Sequence, residues 1–247
     1  MKETAIVIGA SSGLGRALCK CLAERGYDII LSARNDRDLT ATANDLEIRF
    51  GITAKVIPID LAKVDAVNCN DYANQCFAPS IMIKQVYITA AVISSADAGD
   101  SSIQTIRQIY DINFFGVLFL FSALASRLRD IQSNITVISS IAAIRPRSQN
   151  ISYSSSKIAL EYFILGLKHH YKDNQINIQI YRTGYMDSAM SYGKKLLFPI
   201  APTSKVASYL IKNRQEDFQI RYYPAFWKSI SVLLLLLPWS LYKKLKF

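Results

Sequence analysis

The sequence predicts an α/β protein built on a doubly wound parallel sheet, a single domain followed by a basic, leucine-rich C-terminal tail. Three observations carry this. Seven short runs rich in Ile, Val and aromatic residues recur along the 247 residues, most of them apolar without interruption. Amphipathic stretches separate them, and a glycine-rich turn follows the first run. Strands that are apolar on both sides need cover on both faces, which crossover helices supply in a parallel sheet.

The elements follow in order. Thr4–Ile8 reads as a strand that stops at Gly9, and Leu14–Arg25 has the period of a helix. Asp28–Ser32 is a second strand, Asp36–Arg49 a second helix and Ala54–Ile59 a third strand. Gln85–Thr89 precedes a long helical stretch, Ile103–Leu128. Asn134–Ser139 is a strand followed by the helix Ser154–Tyr171, and Asn177–Tyr181 and Gln219–Tyr223 close the series. No internal repeat, low-complexity tract or Pro/Gly linker breaks the chain, so residues 1–221 read as one domain and 222–247 as the tail.

Composition excludes several classes. The chain is 51% hydrophobic and 19% charged, with 14 Tyr, 11 Phe and 2 Trp, far from the makeup of a disordered protein. Its longest apolar stretches, Val232–Trp239 and Phe114–Phe121, are much shorter than the roughly 20 residues of a membrane-crossing helix. The opening Met1-Lys2-Glu3-Thr4-Ala5 runs straight into a strand, without the pattern of a signal peptide. Cys19, Cys21, Cys69 and Cys76 form no CxxC pair, and only His169 and His170 accompany them; reduced packing thiols in a cytoplasmic protein are expected, and no metal site.

The formal net charge is +10, of which +6 falls from Lys205 onwards. No basic-aromatic recognition motif is present, so nucleic acid is not the expected partner. Lysines flanking Trp and a leucine run suit an anionic membrane surface, although the run could equally pack on the protein or in a dimer interface.

The turn Gly9-Ala10-Ser11-Ser12-Gly13-Leu14-Gly15 joins the first strand to the first helix. Glycines here let the backbone turn sharply and approach a pyrophosphate, and the helix N-terminus offers free N–H groups to it. The second strand ends in Arg34-Asn35, without the acidic residue that would bind both ribose hydroxyls of NAD. The Arg34 guanidinium suits a 2′-phosphate instead, with Ser11 and Asn35 as further hydrogen-bonding groups, so the expected cofactor is NADP(H). Tyr153 and Lys157 lie four residues apart, one turn of a helix, where an ammonium can stabilise a phenolate and bring the phenol towards useful acid/base range. Ser140 ends the preceding strand, where its hydroxyl can hold a carbonyl oxygen. His169 and His170 stand about 24 Å further along the helix axis and are expected on the surface.

Together these residues resemble the short-chain dehydrogenase/reductase family over residues 4 to 192. The resemblance implies a Rossmann-type fold and reversible hydride transfer between a nicotinamide and an alcohol or ketone carbon. It implies that Tyr153 is the general acid in ketone reduction, and that Lys157 holds the nicotinamide ribose and depresses the Tyr153 pKa. Ser140 would orient the carbonyl, and Asn113 would hold a water on a proton relay. Gly9, Ser11, Ser12, Gly13, Leu14 and Gly15 would cradle the cofactor, with Asp60 and Leu61 at the adenine. Thr89, Ala90 and Ala91 stand where the family usually reads Asn-Ala-Gly; Gly184, Met186 and Ser188 follow the sixth strand, with Ser188 for the usual threonine at the carboxamide. Homodimers or homotetramers are also implied. The "YYP" and aromatic, leucine-rich, basic tail resembles that of a subgroup that includes the reductase half of the decaprenylphosphoryl-ribose 2-epimerase system, which implies a lipid-linked keto-sugar and contact with the inner membrane face. Two alternatives stand beside this: a reductase of a soluble ketone or acyl intermediate whose tail serves assembly, and a non-catalytic NADP-binding regulatory protein.

Overall fold

The computed structural model describes residues 2–79, 81–171, 176–193 and 198–245. Its seven strands are β1 (Glu3–Ile8), β2 (Asp28–Ser32), β3 (Ala54–Val56), β4 (Met82–Ile88), β5 (Asn134–Ser140), β6 (Asn177–Thr183) and β7 (Ile220–Tyr223). They form one parallel sheet in the order β3-β2-β1-β4-β5-β6-β7. The helices are α1 (Gly13–Ala23), α2 (Asp36–Phe50), α3 (Ala66–Cys76), α4 (Ile103–Tyr110), α5 (Gly116–Asp130), α6 (Ile151–His170), α7 (Thr203–Lys212), α8 (Trp227–Leu236) and α9 (Trp239–Tyr242).

Alternation along each strand feeds two cores. In β1, Ile6 and Ile8 pack with Tyr72 of α3, Val117 and Phe121 of α5, and Leu160 and Ile164 of α6. Ala5 and Val7 point the other way, towards Leu18 and Leu22 of α1, Leu39 and Leu46 of α2, and Val206 and Leu210 of α7. The sheet is therefore covered on both faces, as its uninterrupted apolar strands require. Connections run outward in opposite directions from β1 and β4, and a crevice opens at the carboxyl ends of these two strands.

Several elements depart from the sequence reading, among them α7, which it did not include, and β4, which begins at Met82. β3 ends at Val56 rather than Ile59: the amides of Ile57 and Ile59 still reach β2 (3.0 Å to Leu31 O and 3.0 Å to Ala33 O), but Pro58 between them has no N–H to give. The long helix is broken by a π-helical turn, Asp111–Phe115, between α4 and α5. α3 has no counterpart in the sequence reading. Its start is set by a capping box in which Asp65 accepts from the Asn68 amide (2.8 Å) and the Asn68 side chain accepts from the Asp65 amide (2.9 Å).

The four cysteines are free and buried, as expected of packing thiols, and burial pushes Cys76 up to about 12. His169 and His170 are exposed. Among the described residues no His/Cys/Asp/Glu group could hold a metal. The continuous stretch Ile103–Asp130 is long and apolar enough to cross a bilayer by length and hydropathy, and half of its most apolar window is buried inside the protein.

The C-terminal arm begins later than residue 222, since Tyr222 and Tyr223 pair with β6 as part of β7. Trp227, placed by the sequence reading at a membrane headgroup, is instead buried (3% exposed) against Gly184, where a Cβ would come within 1.9 Å of the indole nitrogen. Ser231 lies one turn further along the same inner face and satisfies its hydroxyl on the Trp227 carbonyl at 2.6 Å. α8 stops at Leu237, which precedes Pro238 and is extended. Arg145, from the loop after β5, donates to the carbonyls of Leu234 and Leu237 at that helix end and stacks on the Tyr242 ring at 4.1 Å. Tyr242 in turn donates to the Pro146 carbonyl at 2.5 Å. The inner face of the arm is thus fastened to the domain, while Val232, Leu233, Leu235, Leu236 and Trp239 remain exposed on the other.

Candidate active site

A cleft of about 590 Å³ opens at the carboxyl ends of the central strands. Its floor is the turn after β1. Gly9 has φ +97°, and a Cβ there would come within 2.6 Å of the Thr89 hydroxyl; at Gly15 a Cβ would come within 2.0 Å of the Gly9 carbonyl oxygen. Only glycine permits so tight a fold, which brings the start of α1 up to the cleft. Ser12 caps α1 without a side-chain hydrogen bond, so the first amides of the helix are not taken by it. Arg16, a residue the sequence reading passed over, braces the turn by donating to the Ser11 carbonyl.

At one end of the cleft stand Arg34, Asp60 and Leu61. Asn35 is otherwise occupied: its side chain caps α2 by accepting from the Asp38 amide and donating to the Asp38 carboxylate at 2.8 Å. Thr89 turns its hydroxyl onto the Ile8 carbonyl at 2.9 Å, tying β4 to β1, and the Ala90 amide bonds the same oxygen.

At the other end, Tyr153 and Lys157 reach the cleft from α6. Ser140 stands beside Tyr153 at the end of β5, where its hydroxyl accepts from the Ala142 amide at 3.1 Å. Burial pushes the Tyr153 phenol up, while Ser140 and the Arg147 charge pull it down. Lys157 is not what lowers the phenol here. Its Nζ donates to the Ile138 carbonyl at 3.1 Å and lies 5.9 Å from the Tyr153 ring centroid, so the expected direct effect gives way to Ser140 and Arg147. Lys157 itself, 2% exposed, is pushed down to about 8 by burial, opposed by the charge of Glu161.

Asn113 does not face the cleft. Fully buried in the π-helical turn, it accepts from the Val92 amide (2.8 Å) and donates to the Val92 carbonyl (2.9 Å) and Ser156 hydroxyl (3.2 Å). Both of its amide hydrogens are used within the protein, so the side chain clamps the loop after β4 to α6. Gly184 is likewise a packing position beneath Trp227. The other expected residues, including Ser12, Gly13, Leu14, Ala91, Met186 and Ser188, line the cleft, with Ser140 beside Tyr153.

One residue the sequence reading missed holds Tyr153 in place. Asp97, 2% exposed, accepts from the amides of Ser152 and Tyr153 at 2.8 Å each, and its own carbonyl accepts from the Asn150 amide. Asn150, the cap position of α6, makes no side-chain cap bond, so Asp97 caps this helix from a distant loop. A lone Asp 56 residues away in the chain leaves no spacing to find. Asp97→Ala is expected to lower unfolding stability by about 1–2 kcal/mol and to reduce kcat. Urea unfolding with the wild-type midpoint would refute the cap.

A parallel sheet with this glycine cradle and a Ser–Tyr–Lys set at the opposite end of the cleft defines the class of dinucleotide-binding α/β proteins. The family model for short chain dehydrogenases matches residues 3–195, and the chain belongs to that family. It is 26% identical over 193 residues to 11-beta-hydroxysteroid dehydrogenase A of Sesamum indicum, covering 78% of this chain and 55% of that protein. It is 28% identical over 190 residues to very-long-chain 3-oxoacyl-CoA reductase of Anas platyrhynchos, covering 76% and 61%. The matched region thus spans about three-fifths or less of these two relatives. A short-chain dehydrogenase from Sphingobium yanoikuyae in complex with NADPH shares the fold, with a TM-score of 0.79 at 19% identity over 96% of both chains.

Proposed function

We propose that this protein is an NADP(H)-dependent oxidoreductase that reduces a ketone to a secondary alcohol. Its substrate is lipid-like, a lipid-linked keto-sugar in the sharpest form of the reading, met at the cytoplasmic face of a membrane. The observation that carries the reading is Tyr153 with Ser140 beside it and Lys157 one turn on, facing a cleft whose other end is the glycine cradle and Arg34. The cradle fits a pyrophosphate, because its glycines let the turn close tightly where a Cβ at Gly9 or Gly15 would strike Thr89, Ala90 or the Gly9 carbonyl, and the first amides of α1 are left without a side-chain cap at the cleft. When bound, the nicotinamide supplies hydride chemistry. The protein's own part is to hold the carbonyl oxygen on the hydroxyls of Ser140 and Tyr153, to donate the phenolic proton as that oxygen gains charge, and to place the Lys157 ammonium where phenolate forms. Relatives named for a hydroxysteroid and for very-long-chain 3-oxoacyl-CoA are consistent with a keto/hydroxy pair on an apolar substrate. The direct test is NADPH consumption by purified protein with ketones of increasing chain length; no turnover with any of them would overturn the reading.

The outer face of the arm supports membrane contact. Leu233 and Leu236 are 65% and 75% exposed, and Lys228, Lys243 and Lys244 lie exposed around them, while Lys246 lies outside the described residues. Because neither leucine packs inward, Leu233→Glu/Leu236→Glu should leave the fold intact and remove most co-sedimentation with phosphatidylcholine–phosphatidylglycerol vesicles. Undiminished vesicle binding would defeat membrane contact. The buried Trp227 and Tyr242 favour a second reading, in which the arm serves assembly of a homodimer or homotetramer acting on a soluble ketone. In that case the same variant changes the mass in solution and the wild type ignores vesicles.

A further inference from the structure

The C-terminal arm is joined to the cleft at two separate places, one at each end of α8. At the start of the helix, Trp227 is seated beneath Gly184, with the Tyr185 ring edge-on at 5.9 Å and the Phe198 ring at 4.7 Å. Gly184 and Tyr185 open the segment that carries Met186, Ser188 and Met190 into the wall of the cleft. About 15 Å further along the helix axis, Arg145 donates to the carbonyls of Leu234 and Leu237, the latter at 2.8 Å. Just beyond, Tyr242 donates to the Pro146 carbonyl at 2.5 Å.

Arg145 and Pro146 stand midway in residues 141–150, the loop that leads from Ser140 to the helix carrying Tyr153. The start of this loop is held by Ser140, whose hydroxyl accepts from the Ala142 amide at 3.1 Å. Its end is held by Asp97, whose carbonyl accepts from the Asn150 amide at 2.7 Å. The arm supplies a hold between the two.

This hold differs in kind from an apolar anchor. Carbonyls at a helix C-terminus lack partners within the helix, and a guanidinium that takes two of them fixes the loop in direction as well as distance. Tyr242, 5% exposed and stacked under Arg145 at 4.1 Å, aims its hydroxyl at the carbonyl of the next residue. Trp227 already seats the arm on the domain, so a tether alone would need neither bond. We propose that Arg145 and Tyr242 are positioning residues through which the arm ties the loop between Ser140 and Tyr153 to the wall formed by Met186 and Ser188, and so sets the shape of the substrate half of the cleft. The inference rests on the reading of Ser140 and Tyr153 as the groups that hold the carbonyl oxygen. It is the same whether the outer face of α8 meets lipid or a second copy of the chain. A helix joined at both ends carries a displacement from one loop to the other, which two independent anchors would not.

The test uses Tyr242→Phe, which removes one oxygen, and Arg145→Met, which removes the guanidinium and keeps an apolar stem. Neither residue touches Trp227 or the segment after β6 in the contacts above. Hydrogen–deuterium exchange read by mass spectrometry, without cofactor or substrate, should quicken by about fivefold in residues 141–150. It should also quicken in residues 184–192, at the far end of α8, and stay at the wild-type rate in the glycine turn 9–15. The ketone KM should rise and kcat/KM for the ketone fall by about 10–100-fold, with the NADPH Kd unchanged. Partial unfolding would instead lower apparent kcat and leave the KM values alone. Wild-type exchange in 184–192, a uniform rise that includes the glycine turn, or an unchanged ketone KM would each overturn the proposal. Should Arg145→Met fail to fold, Tyr242→Phe decides alone. Absence of ketone turnover in the wild type would count against the proposed activity, and the exchange measurement would still decide whether the arm couples the two loops.

Discussion

Tyr153→Phe is expected to lower kcat for ketone reduction by about 10²–10⁴-fold, with the NADPH Kd nearly unchanged. The substitution removes one oxygen and keeps the ring, so α6 and its cap on Asp97 stay as they are. What disappears is the proton donor, with a loss of about 1 kcal/mol in stability at most. The direction of reaction fits the phenol's environment. Burial holds its pKa above the usual value, so at neutral pH the proton is present to be given, while Ser140 and Arg147 stabilise the phenolate once it has gone. Lys157, pushed down to about 8, is charged below that pH and neutral above it, so reduction should fade on the alkaline side. Stopped-flow measurement of NADPH oxidation separates chemistry from binding. Turnover retained in Tyr153→Phe would mean that another group supplies the proton.

The second large effect concerns cofactor choice. Arg34→Asp should weaken NADPH binding by about 10–100-fold and leave NADH binding unchanged or improved. Arg34 is exposed at the edge of the cleft, directly after β2 and ahead of the Asn35 cap of α2, so the backbone that carries it is fixed by the sheet on one side and the helix on the other. A guanidinium there meets a dianionic 2′-phosphate with charge-assisted hydrogen bonds, and an aspartate repels it while accepting from free ribose hydroxyls. Because the contact is exposed, the wild-type preference should narrow as salt rises. Equal losses for both cofactors, measured by fluorescence titration, would remove Arg34 from the 2′-phosphate site.

Much of the site is legible along the chain because its groups are local. The cradle is seven consecutive residues, and Tyr153 and Lys157 share one helical turn, so spacing alone aligns them. The groups that hold these residues in place are not local. Asp97 reaches the start of α6 from the loop after β4, Asn113 clamps Val92 to Ser156, and Arg182 meets Glu161 from a different strand. No periodicity announces such partners, since each is one polar residue in an unremarkable stretch. The same holds for the arm: its composition suited a headgroup, but the Gly184 surface that receives Trp227 and the arginine that caps α8 are contributed by other parts of the chain.

By itself the sequence determined the parallel α/β sheet, the glycine turn, the arginine at its rim and the Ser–Tyr–Lys set, because backbone geometry and helical period act over a few residues. Only the tertiary structure decided that Lys157 points at a backbone carbonyl, that the Asn113 side chain clamps Val92, that Gly184 packs beneath Trp227, and that one face of the arm is bound to the domain. Those outcomes depend on which groups meet across the fold once water is excluded, where each buried charge and hydrogen-bonding atom must find a partner brought from elsewhere in the chain.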